Sequence, residues 1–190
     1  VYRNTAKVND IICVSGDLGG AYMGLQLLER EKQVFKTDPD FQPDFDKHDY
    51  ILERQLKPEA RRDIVKLLKD NNINPTSMID ISDGLSSDIL HICKDSNVGC
   101  LLYEEKIPIN QQTVNMAHEL NINPVVCALN GGEDYELLFT ISINDYEKIK
   151  NLPYISVVGH ITDKSEGKKL ITKDNKYIQL AAQGWNAMKE

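Results

Sequence analysis

No apolar run in the 190 residues approaches the roughly 20 needed to span a bilayer, and the first residues hold no signal-peptide pattern. Basic charge is in short supply. Lys and Arg number 22 against 29 Asp and Glu, giving a formal net charge of -7 and a pI near 5.2. That balance argues against general affinity for nucleic acid or anionic membranes, while leaving room for a local basic phosphate pocket. Cys13, Cys93, Cys100 and Cys127 make no Cys-x-x-Cys pair, and each sits among apolar neighbours. They read as reduced core thiols of a cytoplasmic protein. The four histidines are isolated, with no pair at metal-ligand spacing. There is no Gly-x-x-x-x-Gly-Lys-[Ser/Thr] loop, no protein-kinase catalytic set and no Gly-x-Ser-x-Gly elbow, so any phosphoryl transfer must use another architecture. An initiator methionine is missing too. The chain begins at Val1 and is in a strand pattern by residue 11, which leads us to expect a C-terminal fragment of a longer protein.

What is present alternates irregularly between strand and helix patterns, at 41% hydrophobic residues. Ile11–Val14 reads as a buried strand, broken by the glycine-rich Ser15–Gly20 turn. A helix follows, with Ala21, Tyr22, Leu25 and Leu28 at helical spacing. Residues 37–50, with two prolines and five aspartates, read as an exposed loop or insertion. Pro58 opens a helix with Ile64, Val65 and Leu68 on its buried face. A strand at Met78–Ser82, a helix at Leu85–Ser96 and a strand at Gly99–Tyr103 come next. Pro108–Leu120 holds a helix with Val114 and Ala117 on one side; periodicity leaves Val125–Leu129 open between strand and helix end. Tyr135–Ile141 reads as a strand, Asp145–Asn151 as a short helix and Ser156–His160 as a strand. A hairpin is expected between Ile161 and Ile171, turning at Ser165–Gly167. The pattern suggests a mixed sheet covered by helices.

Four constellations could carry chemistry. In Asp80-Ile81-Ser82-Asp83-Gly84-Leu85, two carboxylates and a hydroxyl follow a strand end and precede a helix. Such carboxylates can hold Mg²⁺ against a phosphate, and the same Ser82 or Asp83 could instead cap the helix. In Asn130-Gly131-Gly132-Glu133-Asp134-Tyr135-Glu136, three acids follow a diglycine. They could meet a cationic ligand or flank a tight turn in solvent, and on a strand Glu133 and Tyr135 share one face while Asp134 and Glu136 share the other. Arg3 and Lys7 could reach phosphates, and the Gly16–Gly20 turn could cradle an anion or simply pack. Trp185, the single tryptophan, could stack on a flat heterocycle or pin the C-terminal helix.

In this order, these residues resemble the thiamine-monophosphate kinase family, in the superfamily of aminoimidazole ribonucleotide synthetase and selenophosphate synthetase. Arg3-x-x-Ala6-Lys7-x-x-Asp10 is similar to the family's inter-domain segment, Asp80–Leu85 to its metal and nucleotide motif, and Gly131–Phe139 to its most distinctive motif. Gly184-Trp185 falls where the family carries a C-terminal aromatic. The resemblance implies an α/β sandwich (α+β), a mixed β-sheet flanked by helices, with residues 1–190 as the single substrate-side C-terminal domain of a two-domain kinase. It implies ATP-dependent phosphorylation of thiamine monophosphate to thiamine diphosphate. Asp80 and Asp83 would bind Mg²⁺, Ser82 and Arg3 would contact ATP, and Glu133 and Trp185 would contact the thiamine part. The implied partners are the chain's own N-terminal domain and a second subunit in a homodimer, with no nucleic acid and no membrane. Two alternatives stay open: another ATP-dependent enzyme of the superfamily, or a non-catalytic module that binds a thiamine phosphate. The stretch at 37–50 is longer than the family needs, and Gly16-Asp17-Leu18-Gly19 varies the family's turn. The domain carrying most of the Mg²⁺ carboxylates lies outside the chain, so residues 1–190 alone are expected to be inactive.

Overall fold

The protein is described by a computed structural model covering residues 1–38, 40 and 42–182. Strand β1 (Ile11–Ser15) leads into α1 (Gly20–Thr37), α2 (Asp49–Leu56) and α3 (Arg62–Asp70). Then come β2 (Ser77–Ile81), α4 (Leu85–Ser96), β3 (Gly99–Tyr103), α5 (Gln111–Glu119) and α6 (Pro124–Asn130). The described part closes with β4 (Glu136–Ile141), α7 (Tyr146–Ile149), β5 (Ile155–Thr162), β6 (Lys168–Ile171) and β7 (Tyr177–Gln179). The strands form one mixed sheet in the order β2-β4-β1-β5-β3-β6-β7, antiparallel except where β3 and β6 run parallel. This is the helix-flanked mixed sheet expected from the sequence.

Strand alternation builds the layers. Ile12 and Val14 of β1 turn to one face, where Leu85, Ile89 and Ile92 of α4 and Ala128 of α6 complete a core. Ile11 and Cys13 turn to the other, against Ile64 and Leu68 of α3 and Ile149 of α7. A second helical layer, with Met23, Leu27, Ile51, Met116 and Cys127, seals the outside of α6. Asn97, left-handed at φ 58, ends α4, and the Val98 N–H returns to the Cys93 carbonyl at 3.0 Å.

Several elements depart from the sequence reading. Helix α2 had no sequence signal, since Ile51 is its one fully buried residue. It packs so close to α1 that a Cβ on Gly24 would lie 2.1 Å from the Ile51 carbonyl oxygen. That contact turns α1 so that Met23, Gly24 and Leu27 face inward, while Leu25 is exposed. Helix α3 begins at Arg62 rather than Pro58, and Val65 is exposed, because α3 offers the sheet only the Ile64–Leu68 stripe. Val125–Leu129 is helical, opened by Asn123, whose side chain accepts the Val125 N–H at 2.9 Å. The hairpin between Ile161 and Ile171 does not form. Gly167, at φ 81, carries the chain past β3, whose Cys100 N–H donates to the Gly167 carbonyl at 3.1 Å, and β6 pairs with β3 rather than β5. Between α1 and α2, the described residues of 38–48 carry no helix or strand and are exposed apart from half-buried His48.

The register fixes where the chemistry sits. Ile81 pairs with Glu136, and Val14 with Leu138. The C-terminal ends of β2 and β1 therefore meet the N-terminal end of β4 at one end of the sheet. Among the described residues, no helix is long and apolar enough to cross a membrane.

Candidate functional site

Two loops lean on each other at that end of the sheet. The β2–α4 loop carries Ser82 and Asp83, and the α6–β4 loop carries Gly131 to Tyr135. The Glu133 N–H donates to the Ser82 carbonyl at 2.8 Å, and the Tyr135 N–H to the Ile81 carbonyl at 2.9 Å. Gly132 makes the approach possible: it sits at φ 70, and a Cβ there would lie 2.6 Å from the Ser82 carbonyl oxygen. The structure thus joins the two motifs that the sequence shows some 50 residues apart.

Asp80 and Asp83 are exposed, and among the described residues their carboxylates accept no hydrogen bond. Neither Asp83 nor Ser82 caps α4, whose N-cap is Gly84 with no side-chain hydrogen bond. The capping alternative for this motif is therefore set aside. Asp88, in the first turn of α4, orders the loop instead. Its Oδ2 accepts the N–H groups of Ser82 at 3.1 Å and Asp83 at 3.2 Å. Burial pushes the Asp88 carboxyl up to about 6, the two N–H groups oppose this, and the charges of Asp83 and Asp80 add to it. Asp83, Asp88 and His91 each bring one ligand atom within 4.8 Å of the others. Asp88 and His91 were missed in the sequence, although their i, i+3 spacing on a helix opening beside Asp83 was the available signal.

In the second loop, alternation divides the acids. Glu133 is exposed and accepts the Tyr135 hydroxyl at 3.0 Å, which pushes the Tyr135 phenol above its ordinary range. Asp134 and Glu136 point inward, 3% and 1% exposed. Both carboxylates are taken up by the protein's own donors. Asp134 accepts the Gly19 N–H at 2.8 Å and the Ala21 N–H at 3.4 Å, filling the N-terminus of α1 with the protein's own carboxylate. The Gly16–Gly20 turn therefore packs rather than cradling a ligand anion. Glu136 lies between Arg54 and Arg61, at 2.8 and 2.5 Å, and accepts the Ser15 hydroxyl. Burial pushes Asp134 up to about 7, with the Gly19 N–H and Arg54 opposing.

Arg3 is not brought to this cluster. It pairs with Asp95 at 2.6 Å, and its carbonyl accepts the Ser96 hydroxyl at 3.4 Å, at the far end of α4. Twelve helical residues, about 18 Å, separate that end from Gly84. Trp185 lies outside the described residues.

The exposed rim thus presents Asp80, Asp83 and Glu133 with a hydroxyl at Ser82. Hard carboxylate oxygens of this kind suit Mg²⁺ better than a soft metal.

No protein-family model matches the chain. It is 32% identical to thiamine-monophosphate kinase of Pyrococcus horikoshii, over 98% of this chain and 53% of that protein. It is also 32% identical to thiamine-monophosphate kinase of Bacillus subtilis, over 98% and 55%. The chain thus spans about half the length of the curated relatives it matches. The structure of AaThiL complexed with AMPPCP and TMP superposes with a TM-score of 0.76 at 31% identity, covering 98% of this chain and 53% of that one. Escherichia coli HypE, a hydrogenase maturation protein, superposes with a TM-score of 0.68 at 16% identity and shares the fold.

Proposed function

This chain belongs to the thiamine-monophosphate kinase family, and on that premise we propose that it is the C-terminal, substrate-side half of a kinase. The reaction moves the γ-phosphoryl of ATP to thiamine monophosphate, giving thiamine diphosphate and ADP. The observation that carries the reading is the meeting of the Asp80–Asp83 and Gly131–Tyr135 motifs, closed by the 2.8 Å hydrogen bond from Glu133 to Ser82. That meeting supports reading the first motif as the nucleotide side and the second as the substrate side of one site. The AMPPCP in the AaThiL complex, an ATP analogue, supports ATP as co-substrate.

In this proposal Asp80 and Asp83 hold Mg²⁺, which when bound neutralises phosphate charge as the phosphoryl group is transferred. Ser82 offers a hydroxyl to the nucleotide. Glu133 and Trp185 contact the thiamine part: thiazolium is a flat cation, matched by a carboxylate through Coulomb attraction and by an indole face through a cation–π contact of roughly 0.5–2 kcal/mol. The attacking atom is a substrate phosphate oxygen, already ionised near neutral pH, so no strong general base is required. Arg3 reaches ATP phosphates from beside β2, where the carbonyl of its neighbour Tyr2 accepts the Met78 N–H at 3.2 Å two residues before Asp80, by leaving an exposed pair with Asp95 of the kind that contributes little. The other half of the enzyme supplies further Mg²⁺ carboxylates and the homodimer contact. Four free, buried thiols suit a reducing compartment, in keeping with a cytoplasmic enzyme.

Titration calorimetry of the full-length protein tests the substrate side. The proposal expects thiamine monophosphate to bind and aminoimidazole precursors not to bind. Binding with the reverse preference contradicts it.

A further inference from the structure

We propose that Arg54 and Arg61 are positioning residues whose grip on Asp134 and Glu136 holds Glu133 at the rim. The kinetic part of the proposal rests on the function proposed above. Arg54 reaches from α2 and Arg61 from just ahead of α3, and neither has been assigned a role in the site. Arg54 Nη1 donates to Glu136 Oε1 at 2.8 Å, and Arg61 Nη1 donates to Glu136 Oε2 at 2.5 Å. Nη2 of Arg54 donates to the carbonyls of Asp134, at 3.2 Å, and Asp17, at 3.1 Å, and lies 3.7 Å from the Asp134 carboxylate. Two guanidinium charges thus face two buried carboxylates, at the residues flanking Tyr135.

The loop needs such a grip. Gly132, Glu133 and Tyr135 have φ of 70, 61 and 50, and the last two are L-residues in the left-handed region, which a free loop leaves. The residues on either side of Tyr135 carry the grip. Asp134 and Glu136 are pinned inward by Arg54, Arg61, the Ser15 hydroxyl and the α1 N-terminus, and Glu133 beside them is left exposed at the rim. The side chains that look like ligand acids in the sequence are the anchor, and Glu133 is what they present. A brace that merely stabilised the fold would not act selectively on one substrate.

The test uses Arg61→Lys, with Arg54→Lys as the second variant should the first unfold. Hydrogen exchange is followed on the 190-residue chain, and steady-state kinetics on the full-length protein. Two results are expected together. The amides of residues 133–135 exchange about tenfold faster, with β1 unchanged. KM for thiamine monophosphate rises about tenfold while KM for ATP and kcat stay within about twofold. Unchanged exchange at 133–135 overturns the proposal, and so does faster exchange without a selective rise in KM. If the unaltered protein makes no thiamine diphosphate, the proposed function fails, and the exchange measurement alone decides the grip.

Discussion

Gly132→Ala tests the meeting of the two loops more sharply than any charge change, because its effect separates into two parts. Gly132 sits at φ 70, and an alanine held there loses roughly 1–2 kcal/mol to backbone strain. Its Cβ would also lie 2.6 Å from the Ser82 carbonyl oxygen and 3.3 Å from the Asp83 carbonyl carbon. The two loops must part, which breaks the 2.8 Å hydrogen bond from Glu133 to Ser82, worth about 1 kcal/mol. The sum is about 2–3 kcal/mol. Urea denaturation of the 190-residue chain should place Gly132→Ala about 2–3 kcal/mol below the unaltered chain, and hydrogen exchange should speed at the Glu133 amide, which strain alone would leave bonded to Ser82. A smaller loss with the Glu133 amide still protected would refute the packing of the Ser82 and Glu133 loops, and the candidate site with it.

Asp134 has a folded pKa of about 7, above its ordinary 3.8, so the native state holds the proton more tightly. Its contribution to stability is full below about pH 4 and is lost as pH rises through 7. The urea midpoint should therefore fall between pH 5 and 8, and Asp134→Asn should flatten that fall; a slope unchanged in the variant contradicts the assignment. Asp88→Ala leaves the Ser82 and Asp83 N–H groups without their acceptor. It should lower stability by about 1–2 kcal/mol and speed amide exchange at both residues, read by denaturation and hydrogen exchange. The 190-residue chain alone should show no ADP release with MgATP and thiamine monophosphate in a coupled assay, since part of the metal site is proposed to lie elsewhere.

Local signals were legible in the sequence, and long-range ones were not. The bounds of α4 were readable because a glycine precedes it and Asn97, suited to a left-handed cap, follows its apolar stripe. Helix α2 was invisible because eight residues with one buried side chain make no periodic pattern. The expected hairpin failed because strand pairing is settled by tertiary partners. The turn at Ser165–Gly167 was real, but β3 occupies the place beside β5. The same limit applies to the acids. Period-two spacing correctly put Asp134 and Glu136 on one face, but could not show that Arg54, some 80 residues away, already occupied it. The Asp80–Asp83 motif was ambiguous between cap and ligand until the N-cap proved to be Gly84 without a side-chain partner.

The central claim is that the Asp80–Asp83 rim and Glu133 serve one phosphoryl transfer to thiamine monophosphate. Phosphorus NMR of the full-length protein with MgATP and thiamine monophosphate observes that transfer directly. The account predicts thiamine diphosphate and ADP accumulating in equal amounts. In Asp80→Asn and Asp83→Asn the rate should fall by about 100-fold or more. ADP appearing with inorganic phosphate and no thiamine diphosphate, or an undiminished rate in both variants, would contradict it.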